Sequence, residues 1–244
     1  MQGTLQQGAV MTKHNDLTYA AMAAELVKLQ NAFNKRVHPE WEKQGYNWRR
    51  AAVLEGAELL DQLPWKWWKG GAAVDIEQCR MEVVDILHFI VSDCIVAGGR
   101  ERALGLVAQM LKTIDEIGPV PEVATDAAIE AADTFLTRAA TARIAADLTG
   151  PLAKLSCEFG MTAQQLYQGY IAKNALNAVR NQFGYKEGRY VKIWDGAEDN
   201  VHLASFMQQN PSAGFDETVA AMVKMAGHYH SGAPSPRTAP KPVR

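Results

Sequence analysis

The sequence predicts an all-α fold, a helical bundle with an antiparallel centre. Apolar residues recur at steps of three and four over most of the chain, and no series of alternating strands is present. Proline and glycine fall between the periodic stretches, where helices must stop.

Each element follows from these signals. From Thr18 to Val37 the apolar positions are Met22, Leu26, Leu29, Phe33 and Val37, one face of an amphipathic helix, and Pro39 stops it. A second helix is predicted over Asn47–Leu63, ending at Pro64. A third runs from Asp75 to Ala97 and ends at Gly98-Gly99. Its Ile76, Cys79, Val83, Ile86 and Ile90 form one apolar stripe, and Val84, Leu87 and Val91 another, so it belongs at the centre of the fold. Helices are also predicted over Glu101–Ile117 and, rich in alanine, over Asp126–Leu148, with Gly150-Pro151 breaking the chain after it. Thr162-x-x-Gln165 has the form of a capping box and opens a helix that ends at Gly184. Tyr190–Trp194 reads as a short extended segment before an Asp195-Gly196 turn, and a last helix covers Glu217–His228. Residues 1–16 are polar and read as a flexible extension. Residues 231–244 carry four prolines and few apolar residues, the composition of a disordered tail.

Composition narrows the function. The 244 residues include 25 Lys+Arg against 27 Asp+Glu, a net charge of −2. That balance disfavours nucleic acid and anionic membranes as partners. No apolar run is long enough to cross a bilayer, and the polar start has no secretory h-region. Cys79, Cys94 and Cys157 are odd in number and lack C-x-x-C spacing, so they read as core residues of a protein in a reducing compartment. The expected localisation is cytoplasmic.

Two carboxylate pairs stand out. Glu55 and Glu58 are three apart, as are Glu82 and Asp85, so each pair shares a helix face. The second pair lies on a narrow polar stripe with Gln78 and Ser92, on a helix otherwise too apolar to be exposed. If the two helices pack antiparallel, the pairs face one another across a groove. Two unit charges ~5 Å apart at an effective dielectric of ~20 repel by roughly 3 kcal/mol. Divalent cations relieve such repulsion, and an all-oxygen set suits Mg²⁺ or Mn²⁺. The plainer reading of E-x-x-E is a solvated helix face, but polar residues on a central helix need partners. Trp65-Lys66-Trp67-Trp68-Lys69 follows the first pair, offering aromatic faces for a base and ammonium groups for phosphates. Lys173, Asn174, Asn177 and Arg180, then Tyr185, Lys186, Arg189 and Lys192, form a local cationic cluster suited to a phosphorylated small molecule, or simply a solvated helix end.

Taken in blocks, these residues resemble the dimeric all-α dUTPases of trypanosomatids, some bacteria and phages, members of the all-α NTP pyrophosphatase superfamily. The resemblance rests on Glu55-Gly-Ala-Glu58, Pro64-Trp65-Lys66-Trp67-Trp68-Lys69, Glu82-Val-Val-Asp85-Ile-Leu-His88-Phe89, Lys173-Asn174-Ala-Leu-Asn177-Ala-Val-Arg180 and the Tyr190–Asn200 block. It implies Mg²⁺-dependent hydrolysis of dUTP and dUDP to dUMP by a homodimer, with two or three ions, or Mn²⁺, held by Glu55, Glu58, Glu82 and Asp85. Glu55 would orient or deprotonate the attacking water. Gln30 and Asn34 would read the uracil edge beside Trp65 and Phe89, and His88 and Asn177 would lie near the deoxyribose. Lys66, Lys69, Lys173, Arg180, Tyr185, Lys186, Arg189 and Lys192 are the phosphate candidates, with Asn174 beside them. It also implies one catalytic domain over residues 17–230, with a variable helical insert around 100–150, and a bacterial or phage-infected host as the setting. Two other readings remain: the same chemistry on dCTP or a modified pyrimidine nucleotide, and a non-catalytic helical dimer that binds a nucleotide or protein.

Overall fold

The computed structural model describes residues 18–69 and 74–230, and the expectations for the two termini lie outside them. Among the described residues the strands are confined to one hairpin of two residues each, and helices joined by turns and loops make up the rest. Its helices are α1 (Tyr19–Val37), α2 (Trp48–Gln62), α3 (Ile76–Ile117), α4 (Thr125–Thr141), α5 (Thr149–Glu158), α6 (Ala163–Gln182), α7 (Asp199–Gln209) and α8 (Phe215–His230). Side chains close the starts of four of them. Thr18, Asn47, Asp75 and Thr162 each accept a first-turn amide, and Thr162 with Gln165 completes the predicted capping box.

α3 is the axis of the fold. Its Cys79, Val83, Ile86, Leu87, Ile90 and Val91 are fully buried, as their two apolar stripes require. Contacts fix the directions of its neighbours. Trp48 of α2 lies against Phe89 while Glu55 lies against Glu82 and Asp85, so α2 runs antiparallel to α3. Tyr170 of α6 stacks on His88 while Lys173 meets Asp85, so α6 is antiparallel too. α1 hydrogen-bonds α3 from Gln30 and α6 from Glu25, completing the bundle. α6 comes close to α3 at Gly169, where an added Cβ would stand 2.9 Å from Val84 Cγ2.

Three local expectations need correction. The helix predicted to end at Gly98-Gly99 bends there instead: Gly99 takes φ 74°, ψ 174°, and the chain resumes helix to Ile117. The alanine-rich helix stops at Thr141, and a 3₁₀ turn, Ala145–Leu148, links it to α5. Gly150-Pro151 does not break the chain but sits in the first turn of α5, where proline has no amide bond to lose. α7 was not anticipated as a helix. The predicted Asp195-Gly196 turn joins β1 (Ile193–Trp194) to β2 (Ala197–Glu198). All three cysteines are free and buried. Among the described residues, no helix is long and apolar enough to cross a membrane.

Candidate active site

The antiparallel α2–α3 pair brings three of the four carboxylates together. Glu55, Glu82 and Asp85 each place a ligand-capable oxygen within 4.8 Å of the others. Glu58 is exposed and lies outside this trio, close enough for its charge to act on Glu55 and Glu82. Burial, reinforced by the charges of Asp85, Glu58 and Glu82, pushes the Glu55 carboxyl up to about 7, with Lys173 opposing. Burial also raises Glu82, against a 2.6 Å hydrogen bond donated by Gln78 Nε2. Asp85 is raised by burial and pulled back by Lys173, whose Nζ lies 2.7 Å from Oδ2. The side chain of Lys173 is 6% exposed, so an ammonium already stands where the cluster attracts positive charge. Crowded, partly buried, all-oxygen ligands with a cation drawn onto them fit a divalent metal.

One pH-dependence follows. A metal needs the ionised Glu55, which in the metal-free fold carries a proton below about 7. Apparent Mn²⁺ affinity should therefore fall about tenfold per pH unit below 7 and level off above it. Calorimetric titrations at pH 6, 7 and 8 check this; equal affinities at all three would contradict it.

About two turns along α3, a second polar group is buried between α1, α3 and α6. Gln30 and Asn34 are almost fully buried, with Ser92 and Tyr170 wholly so. Gln30 Nε2 donates to Asn34 Oδ1 and Ser92 Oγ, both at 3.0 Å. Its Oε1 accepts from Tyr170 at 2.5 Å and pairs with His88 Nδ1 at 2.8 Å. His88 stacks on Tyr170 at 4.1 Å between ring centroids. Burial, with the positive charge of Lys173, lowers His88 to about 3, so the ring is neutral. His88 Nε2 and both amide atoms of Asn174 are buried without a hydrogen-bond partner.

The cationic cluster divides. Arg180 is not free: its Nε and Nη2 each donate at 2.8 Å to the wholly buried Asp199, which also accepts from Tyr190. Its Nη1 reaches Asn177 Oδ1 at 3.4 Å, and Arg180 and Asp85 act on each other electrostatically. Lys186 donates to the carbonyl of Val37. The other candidates are nearer solvent, except Lys66, whose side chain is 12% exposed. Lys192 pairs with Glu198, Arg189 with Glu187, and Lys66 with Asp61, while Lys69 and Tyr185 are exposed. Trp65 donates its indole N–H to Leu60, and Phe89 packs on Trp48. Sequence reasoning passed over Tyr170 and Asp199. Tyr170 lies on the same helix as Lys173, three residues before it, and Asp199 sits in the Tyr190–Asn200 block, so both were in view without a contact to mark them.

A family model described as dUTPase matches residues 23–185, well over half of the chain, covering all of α2, α3 and α6 and most of α1. The chain belongs to the dUTPase family. This enzyme hydrolyses dUTP to dUMP, as a dUTP diphosphatase of all-α architecture. A divalent metal serves reactions of this family, and the carboxylate trio Glu55, Glu82 and Asp85 fits one. The matched span includes both buried clusters and stops before Tyr190, which precedes the hairpin, and before Asp199, which opens α7. No curated protein sequence matches the chain.

Proposed function

We propose that the enzyme hydrolyses dUDP as well as dUTP, with two or three Mg²⁺ ions held by Glu55, Glu82 and Asp85 and by Glu58 at the edge, and Mn²⁺ as a substitute. One observation carries this reading. A single stripe of α3 bears the carboxylates at Glu82 and Asp85 and the amide-lined pocket at His88 and Ser92, a rise of about 10 Å from Asp85 to Ser92. That is the scale of a nucleotide from base to phosphates. Gln30 and Asn34 lie at the base end and Lys173 and Arg180 at the phosphate end.

When bound, the metal would neutralise phosphate oxygens and make water a better nucleophile. The protein's own groups do the rest. Glu55, with its carboxyl near neutrality, is suited to take the proton from the attacking water. Attack in line at the β-phosphorus breaks its bond to the α–β bridging oxygen, and dUMP departs with that oxygen. Lys173 and Arg180 offset the charge of the departing phosphates, with Lys66, Lys69, Tyr185, Lys186, Arg189 and Lys192 as the outer candidates.

A panel of dNTPs and dNDPs with purified protein and Mg²⁺, followed for monophosphate release, tests the substrate. dUTP and dUDP should both yield dUMP, and chelation should stop both. Turnover of dCTP alone would support the cytosine reading, and binding without turnover the non-catalytic one. In ¹⁸O-water the label should appear in pyrophosphate and not in dUMP. Label in dUMP would place the attack at the α-phosphorus.

The apolar sides of α3 are buried within the single chain and offer no surface for a homodimer. What supports a dimer is family resemblance and the large apolar residues on and after α2 that remain exposed, Leu54, Trp65, Trp67 and Trp68. Light scattering at micromolar concentration should give about twice 26.8 kDa; a single species at 26.8 kDa would refute the dimer.

A further inference from the structure

The buried amides of the pocket have a definite orientation, and one hydroxyl decides it. Ser92 Oγ donates at 2.8 Å to the carbonyl of His88, one turn back on α3. A carbonyl only accepts, so the hydroxyl hydrogen is used there. Ser92 can then only accept from its other neighbours, Gln30 Nε2 at 3.0 Å and Asn34 Nδ2 at 2.9 Å. Turning either amide over would set oxygen against oxygen in a fully buried site. With the nitrogen of Gln30 held by Ser92, its Oε1 must accept from the Tyr170 hydroxyl and from His88 Nδ1. His88 Nδ1 therefore carries the ring proton, and Nε2 is an acceptor.

Gln30 is saturated, with two donors and two acceptor positions in use. The open valences on the network include the lone pair of His88 Nε2, buried without a partner, and on Asn34 the second hydrogen of Nδ2 and the second acceptor position of Oδ1. An unpartnered buried acceptor points to a ligand that brings a hydrogen. The imide edge of uracil has an N3–H donor flanked by carbonyl acceptors, so His88 would meet the base and not the deoxyribose that the resemblance implies. Cytosine puts a lone pair at N3, opposing the lone pair of His88 Nε2, while Asn34 can turn either a donor or an acceptor to the group at C4. Protonation would turn Nε2 into a donor, but burial keeps His88 neutral.

We propose that Ser92 is a positioning residue that fixes the amides of Gln30 and Asn34 and the tautomer of His88, so that the pocket is matched to the imide edge of uracil and mismatched to the edge of cytosine. The proposal rests on the functional reading above and names the residue behind its base choice. Tyr170 assists by holding Gln30 from the opposite side.

Two measurements on the full chain test it. Nitrogen-15 correlation spectra of the wild-type protein without nucleotide, with His88 assigned by difference from His88→Gln, should show the Nδ1–H tautomer. In Ser92→Ala the signals should shift toward a mixture, because the amide of Gln30 is no longer tethered. The ratio of kcat/KM for dUTP over dCTP should fall by about tenfold or more in Ser92→Ala, chiefly through the KM for dUTP. Tyr170→Phe should lower it in the same direction. A wild-type Nε2–H tautomer would overturn the proposal, and so would an unchanged ratio in folded Ser92→Ala. The wild-type spectrum keeps the test decisive if Ser92→Ala does not fold. Wild type that turned over neither nucleotide would overturn the functional reading and the specificity claim together, whereas a wrong tautomer would overturn only the latter.

Discussion

Replacing Glu55 by glutamine is expected to abolish dUTP hydrolysis and to stabilise the metal-free protein above pH 7. The two effects share a cause. Glu55 is pushed up to about 7 by burial and by Asp85, Glu58 and Glu82, from an ordinary 4.5. A carboxyl raised on folding contributes stability that is fully present below about 4.5 and is lost as pH rises through about 7. Above that pH the fold holds a repelled carboxylate, and glutamine removes the repulsion at nearly constant volume. Because Glu55 is only part-buried, solvent screening limits the gain to roughly 1 kcal/mol. Activity should fall by about 10³-fold, equivalent to ~4 kcal/mol, since a ligand and the proton acceptor go together. Asp85→Asn should be as inactive but less stable, because it strips the nearly buried Lys173 of its counter-charge. Thermal melts in EDTA at pH 5 and pH 8, beside dUMP release in Mg²⁺, separate these outcomes. A Glu55→Gln protein that still turned over dUTP would sink the assignment.

Replacing Arg180 by methionine is expected to cost about 3–5 kcal/mol, the penalty for leaving a buried charge without its partner. Asp199 is fully buried and depends on the two-pronged bond from Arg180. Burial alone would raise its carboxyl, but the hydrogen bonds and charge of Arg180, with the Tyr190 hydroxyl, outweigh burial and hold it below the usual 3.8. A carboxyl depressed on folding contributes stability that is present above its unfolded value and is lost as pH falls through the folded one. The difference between wild type and Arg180→Met should thus be largest at neutral pH and shrink as pH falls, because in the variant burial raises the Asp199 carboxyl and lets it take up a proton. At pH 7 it should appear as a melting temperature lower by roughly 10 °C or more. A shift under 2 °C would show that α7 and the hairpin do not depend on this pair.

How far the molecule was legible in its sequence depended on the range of the forces involved. The helices were legible because periodicity and caps are local: α1 and α6 begin at Thr18 and Thr162 and stop before Pro39 and Gly184. Glu55, Glu82 and Asp85 were legible because three-residue spacing on two apolar helices leaves few ways to satisfy them. Glu58 has the same spacing and is exposed, since the helix turns it toward the rim. The errors came where local signals compete. Glycine can bend a helix as well as end it, as at Gly99, and proline can open one, as at Pro151. The Ser92–Gln30–Tyr170 network was not legible as a network. Its bonds join residues 62 and 140 positions apart, and Tyr170 by itself reads as a core aromatic. Arg180 reads as a surface cation until Asp199, 19 residues on, folds back onto it.

The measurement that bears most directly on the central claim is to locate Mn²⁺ by anomalous X-ray scattering in crystals of the protein with a non-hydrolysable dUTP analogue. The predicted result is manganese among Glu55, Glu82 and Asp85, with the phosphates toward Lys173 and Arg180 and the uracil against Asn34 and His88. Manganese bound elsewhere, or the analogue bound away from the α3 stripe between Glu82 and Ser92, would contradict it.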